Sequence, residues 1–493
     1  MGQVMGLHPD STAGPAPLRV VVKKSPGALV VNTLRRLQGD PLAFVKRMAR
    51  EPGDVVQYRV WRHDIFLVKH PDLIRDVLVT NQHDYAKGAG LQWAKRFLGE
   101  GLLTSEGELH TRQRRLAQPA FHRQRIGAYA AVMAGYATKT GDRLREGEPF
   151  DMHAEMMALT LAVIGKTMCD AEVGAEAGVI GGALRDVLAL FPRFVLPFAG
   201  LLHLLPLPST RRFDRASARL DEVVYRMIAD RRRSGVDRGD LLSMLLMARD
   251  EEGDGGHMTD THLRDEVMTM FLAGHETTAN ALSWTWYLLA QNPEAEARFH
   301  AEVDGVLAGR SPSFDDLPRL RYTEMVLAES MRLYPPAWGL GRRALRTQAL
   351  GGVTIPADAL VLVSPFLVQR DPTFYPDPLR FDPSRFTPEA KAARPKFAYF
   401  PFGGGARQCI GEPFAWMEGV IILASLAQRW RFRLDPAARD DPRRQPGRRA
   451  RALRAQRLRA ARPADLAAAH RPGLLGIDAD RHRRPLPASH RLA

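Results

Sequence analysis

The stretch FGGGARQCIGEPFAWMEG, Phe402 to Gly419, constrains this chain more than any other. It sets Cys409, one of only two cysteines in 493 residues, in a glycine-rich loop that runs straight into a helical pattern. Glycines at that density serve a very tight turn, or the close approach of something large to the backbone. The residues exclude most chemistries that use such a loop. A phosphate loop of the Walker kind needs Gly-Lys-Ser/Thr, which is absent. The dinucleotide fingerprint needs a third glycine where Gln408 stands, and a strand before it. A cysteine phosphatase would carry an arginine six residues after the thiol, where Ala415 stands. Zinc would call for further Cys or His close by, and the loop has none.

A single thiolate suits a metal held mainly by something else, such as heme iron with one axial cysteine. The surroundings agree with that use. Loop N–H groups and the start of the following helix stabilise a thiolate. Pro413 suits the first turn of that helix. Arg407 offers a cation to a propionate. The glycines are expected to let the macrocycle lie close.

Composition narrows the class. At 45% hydrophobic and 25% charged residues the chain is an ordinary globular one with material for a large core. Cys169 and Cys409 make no disulfide framework, which fits a reducing compartment. The N-terminus shows no apolar run of signal or anchor type. The most apolar segment, FVLPFAGLLHLLPLP (Phe194 to Pro208), is short and broken by Pro197 and Pro206. A soluble, cytoplasmic protein without a membrane anchor is the expectation, with that segment a surface loop over apolar partners. Net charge is +15, but +9 of it falls between Asp440 and Ala493, where fourteen Arg face five Asp. The body has no basic stripe interleaved with aromatics, so nucleic acid is not expected as a partner.

Patterning gives a coarse map. DVVQYRVW and DIFLVKH predict a hairpin near Asp54 to His70. From Pro71 to Leu333 the patterns are mainly helical, with a long apolar helix starting near Arg264. Gly351 to Pro365 predicts another short strand pair, followed by a Pro/Asp-rich meander. The expected fold class is mainly α with small β-sheets: a body from 40 to 439, an N-terminal extension over 1–39, and a tail over 440–493. Cys169 sits in an apolar helical context and reads as a structural cysteine.

The spacing Phe402, Gly405, Arg407, Cys409, Gly411 resembles the heme-binding loop of the cytochrome P-450 superfamily. Three more segments follow that family's order. FLAGHETTANALSW resembles its central helix, with Ala273, Gly274, Glu276 and Thr277 on the motif. AESMRLYPP puts Glu329 and Arg332 one helical turn apart, like the family's E-x-x-R, with Arg385 of the meander as third member. Alone, such a pair is ordinarily a surface ion pair of little worth. LHTRQRRLAQPAF puts His110 and Arg114 four apart, like the helix that donates to a heme propionate. Arg342 in GLGRRAL is carried over in the same way, with neighbouring Arg343 leaving the register open by one.

The resemblance implies the family's fold, with heme b buried between the central helix and the cysteine-bearing helix. It implies a soluble, bacterial-type monooxygenase that inserts one oxygen atom of O₂ into an apolar substrate, a fatty acid, terpenoid or similar molecule. Electrons derived from NAD(P)H would come through a separate ferredoxin or flavodoxin and its reductase. In that scheme Cys409 is the axial ligand, and Glu276 and Thr277 deliver protons, with Gly274 leaving room for dioxygen. Arg407, His110, Arg114 and Arg342 would hold propionates. Glu329, Arg332 and Arg385 would pin the meander. A peroxide-driven peroxygenase and a non-catalytic heme-thiolate sensor are the rival readings. The tail departs from the family: from Asp440 onward it has no aromatic, Val or Thr residue. It is expected to build no packed strand pair, as in a disordered basic tail or an out-of-frame translation starting near Pro436 to Pro442.

Overall fold

A computed structural model describes residues 20–24, 41–60, 63–170, 180–184, 207–250, 256–435 and 452–457. Its centre is a 30-residue helix, Asp260–Leu289, the central helix. The Thr259 hydroxyl caps it by accepting from the His262 N–H at 3.2 Å. Apolar residues lie on nearly every side of it, because helices cover it all round. It packs along Met152–Cys169, where the Thr160 hydroxyl donates to the His275 carbonyl at 2.9 Å. It also meets Pro208–Ser234, the E-x-x-R helix Arg321–Leu333 and the cysteine helix Glu412–Ala427. The main hydrophobic core fills the space among these helices.

A six-stranded sheet flanks this core. Its members are β1 (Val20–Lys24), β2 (Val55–Val60), β3 (His63–Val68), β4 (Tyr85–Lys87), β6 (Leu340–Ala344) and β9 (Leu360–Val363). Their order is β1-β2-β3-β9-β6-β4. The predicted hairpin is β2 with β3, closing at Val60 opposite His63. The strand pair expected within Gly351 to Pro365 divides instead between two sheets. β8 (Val353–Ile355) pairs with β7 (Gln348–Leu350), whereas β9 inserts between β3 and β6. β9 buries Val361 and Val363, and a local hairpin would leave those side chains uncovered.

Strands lie beyond both expected end boundaries. β1, inside the supposed extension, runs parallel to β2 from Val20 opposite Val55. In the tail, β11 (Ala452–Arg457) pairs antiparallel with β10 (Trp430–Leu434) and with β5 (Pro149–Asp151). The segment does build a packed strand pair, because its partners supply the bulk. β11 buries Leu453 and Ala455, while Phe432 packs on Phe150 and Trp286. The rest of the tail and the apolar stretch Phe194 to Pro208 up to residue 206 lie outside the described residues. No described helix is long and apolar enough to cross a membrane.

Candidate functional site

A cavity of about 330 Å³ separates the central helix from the cysteine loop. Cys409, Thr277, Ala273, Gly274, Phe402, His110, Arg114, Arg342 and Arg407 all line it. Motifs about 300 residues apart in sequence therefore share one space.

On one side, the loop enters the cysteine helix through Gly411 at the N-cap, with Pro413 in the first turn. The Gly411 and Glu412 N–H groups are directed at the sulfur and favour the thiolate. Burial outweighs them and pushes the thiol up, although the sulfur is reachable from the cavity. A bound metal cation would favour the thiolate in the same direction as the helix start. Two of the loop glycines serve a tight turn. Gly403 and Gly405 have φ of 75° and 71°, and a Cβ on Gly405 would collide with the Leu78 carbonyl. They seat the loop on the protein beneath it. Phe402 packs on Trp416, with ring centroids 5.8 Å apart.

On the other side, the central helix is continuous through its motif. The Thr277 hydroxyl donates back to the Ala273 carbonyl at 2.7 Å. Glu276 beside it is half-buried, and burial pushes its carboxyl up. Gly274 lines the cavity and also meets the neighbouring helix. A Cβ there would lie 2.5 Å from Ile164 Cδ1, so the missing side chain lets helix Met152–Cys169 press against the central helix. Thr278 lines the cavity next to Thr277, and behind it stands Glu418 of the cysteine helix, fully buried.

At the edge, cations gather. Arg342 points inward and is 8% exposed, while Arg343 turns out to Asp358 at 2.7 Å, which settles the register. Arg114 donates to the Gln408 carbonyl at 2.8 Å, and Arg407 to the Ser105 carbonyl at 3.2 Å and to Glu106. His110 is buried with no well-formed hydrogen bond at either ring nitrogen. Burial and nearby cations bring it down to about 4, so it is neutral. The sequence reading missed Lys87 of β4. It is 4% exposed, bonded to the Leu102 and Ser105 carbonyls at 2.9 and 2.8 Å, and pushed down to about 7 by burial. Only its pairing in β4 beside β6 brings it to Arg342, so no sequence signal marks it.

The E-x-x-R expectation is met in full geometry. Arg332 makes a two-pronged contact with Glu329 at 2.6 and 2.8 Å, both side chains being fully buried. Its other N–H groups donate to the Gln369, Pro378 and Arg380 carbonyls. Glu329 also accepts from the Asp382 N–H at 2.9 Å and lies 3.7 Å from Arg385. This network ties the meander to the helix and places the loop that follows. Cys169 is buried away from the site, as a structural cysteine.

Glu418 was also missed. Neither of its oxygens is in a well-formed hydrogen bond, and burial pushes its carboxyl up to about 8. Stability from this neutral acid is fully present below the ordinary range near 4.5 and is lost as pH rises through 8. Glu418→Gln should therefore gain thermal stability over the parent as pH goes from 5 to 8, by on the order of a few kcal/mol. Parallel melting curves at both pH values check this. A constant offset between the two proteins would show that Glu418 does not titrate.

The donor set fits one flat, largely apolar dianion with a soft axial ligand. Cys409 would supply that ligand, and Lys87, Arg114, Arg342 and Arg407 with the buried His110 ring would hold its acidic edge. The family model described as Cytochrome P450 matches residues 23–456, through β11. Cyclooctatin synthase of Streptomyces melanosporofaciens is 43% identical over 405 residues, 82% of this chain and 88% of that one. Cyclooctat-9-en-7-ol 5-monooxygenase of the same organism is 40% identical, covering 80% and 86%. Pentalenene oxygenase of Streptomyces avermitilis is 37% identical, covering 85% and 93%. The solved structure of retinoic acid-bound cyanobacterial CYP120A1 shares the fold with a TM-score of 0.78 at 24% identity, covering 90% of this chain and all of that one. With the cysteine loop facing the threonine of the central helix across one cavity, the chain belongs to the cytochrome P450 family and is a heme-dependent monooxygenase.

Proposed function

We propose that this enzyme hydroxylates or epoxidises a cyclic terpenoid, with electrons from a separate ferredoxin or flavodoxin and its reductase in the cytoplasm. The carrying observation is the cavity, in which Cys409 and Thr277 face one space walled by Leu102, Leu103, Ile164, Met168, Met270 and Leu327. A rigid hydrocarbon skeleton suits such walls, which orient it by shape rather than by hydrogen bonds. The relatives named for pentalenene and for cyclooctat-9-en-7-ol support that substrate class. Heme b, held through Cys409 and the edge cations, supplies activation of O₂ and transfer of one oxygen atom.

The chain's own residues manage protons and water. Glu276, its carboxyl raised by burial, keeps a proton closer to neutral pH than an exposed glutamate does. The Thr277 hydroxyl, anchored on the Ala273 carbonyl, can pass that proton into the cavity. An O₂-using enzyme needs this pair, whereas a peroxygenase or a sensor does not. Thr277→Ala is expected to bind heme and substrate normally but to divert most electrons to hydrogen peroxide. Product formed per NAD(P)H should fall about tenfold or more, within the range for a positioned proton donor. Unchanged coupling in that variant would favour the peroxygenase reading.

A further inference from the structure

Four cations, Lys87, Arg114, Arg342 and Arg407, stand around the edge of an apolar cavity. Among the described residues Arg407 alone of the four ion-pairs with an acid, and that acid is Glu106, at the N-cap of helix Gly107–Ala117. Glu106 also accepts from the Lys87 N–H at 2.7 Å and from the Gln92 side-chain amide at 3.2 Å. Arg342, by contrast, donates to the Gly341 carbonyl at 3.1 Å and to no acid among the described residues. The cations feel one another: Arg407 acts against the charge of both Lys87 and Arg342, and Glu106 acts in favour of both. A cradle for a dianion has to fold before the dianion arrives, and cations packed without a counter-charge would repel.

We propose that Glu106 is a placeholder for a propionate. It neutralises the cradle in the heme-free chain and yields Arg407 to the propionate when heme enters. This rests on the heme reading above. Glu106 is then a positioning residue with opposite effects on the two states. It stabilises the empty chain, and it competes with heme in the loaded one.

The test compares the parent, Glu106→Gln and Glu106→Asp, each heme-free and heme-loaded. Gln retains an acceptor for the Lys87 N–H but loses the charge. Melting temperatures are read for both states, and heme release is followed as transfer to apomyoglobin at low and high salt. For Glu106→Gln the heme-free chain should melt lower, the gap to the loaded protein should widen, and heme release should slow. The slowing should be roughly three- to tenfold, the range for competition at one part-buried ion pair, and smaller at high salt. Glu106→Asp should restore parental behaviour in part. If both states lose stability equally, or heme leaves faster from Glu106→Gln, Glu106 is structural only and the placeholder idea is overturned. A parent protein with no Soret band would instead remove the heme reading itself.

Discussion

Cys409→Ala is expected to abolish the Soret band that reduced, CO-bound protein shows when a thiolate is the axial ligand. It should also remove all monooxygenase activity. Cys409 is the one cysteine on the cavity, and the only other, Cys169, is buried in the core with its thiol pushed up by burial. The Gly411 and Glu412 N–H groups directed at the sulfur have no use for a methyl group. The spectrum separates this from unfolding, because Cys409→Ser should bind heme with an altered, non-thiolate band. Persistence of the thiolate band in Cys409→Ala would show that another residue ligates the iron.

Glu329→Ala should have the largest effect on stability. The Glu329–Arg332 pair is fully buried, and Arg332 ion-pairs with no second acid among the described residues. Removing one partner of such a pair leaves an uncompensated buried charge, at a cost of about 3–5 kcal/mol. In a chain this long that lowers Tm by about 3–5 °C, since the melting entropy scales with size. The loss should fall first on the meander, because Glu329 also holds the Asp382 N–H and faces Arg385. Heme incorporation should therefore drop further than the global melt implies. Calorimetry together with the heme-to-protein ratio checks both parts. A variant with parental Tm and full heme content would mean that the network is not structural. Arg332→Lys should be nearly as damaging, because Lys cannot serve Glu329 and three carbonyls at once.

The parts of the site that lie within one helix or one loop were legible in the sequence. Glu329 and Arg332 share a helix face by spacing alone, as do His110 and Arg114, and Cys409 announces itself by its glycines. Residues brought in by strand pairing were not. Lys87 carries no motif, and it reaches the cavity only because β4 pairs with β6. Glu106 and Glu418 look like ordinary surface acids on paper, yet one sits among cations and the other is fully buried between helices. The glycines have packing partners that the sequence does not show. Gly274 and the loop glycines accommodate Ile164 and the Leu78 carbonyl, partners 110 and more than 320 residues away in the chain.

By itself, then, the sequence determined the kind of protein: an α-rich body, one thiolate loop, an acid–alcohol pair on a long helix and a Glu–Arg pair one helical turn apart. Each of these is a short-range pattern, set by the 3.6-residue helical period or by the backbone freedom of glycine. The tertiary structure alone decided what surrounds them. It sent β9 into the large sheet rather than a hairpin, because only there are Val361 and Val363 covered. It made a strand of Ala452–Arg457, a segment poor in strand formers, because Trp430 and Phe432 supply the packing that the segment lacks. It also gathered four cations and one carboxylate at the cavity edge. Burial and charge balance depend on neighbours distant in sequence, and local pattern does not carry them.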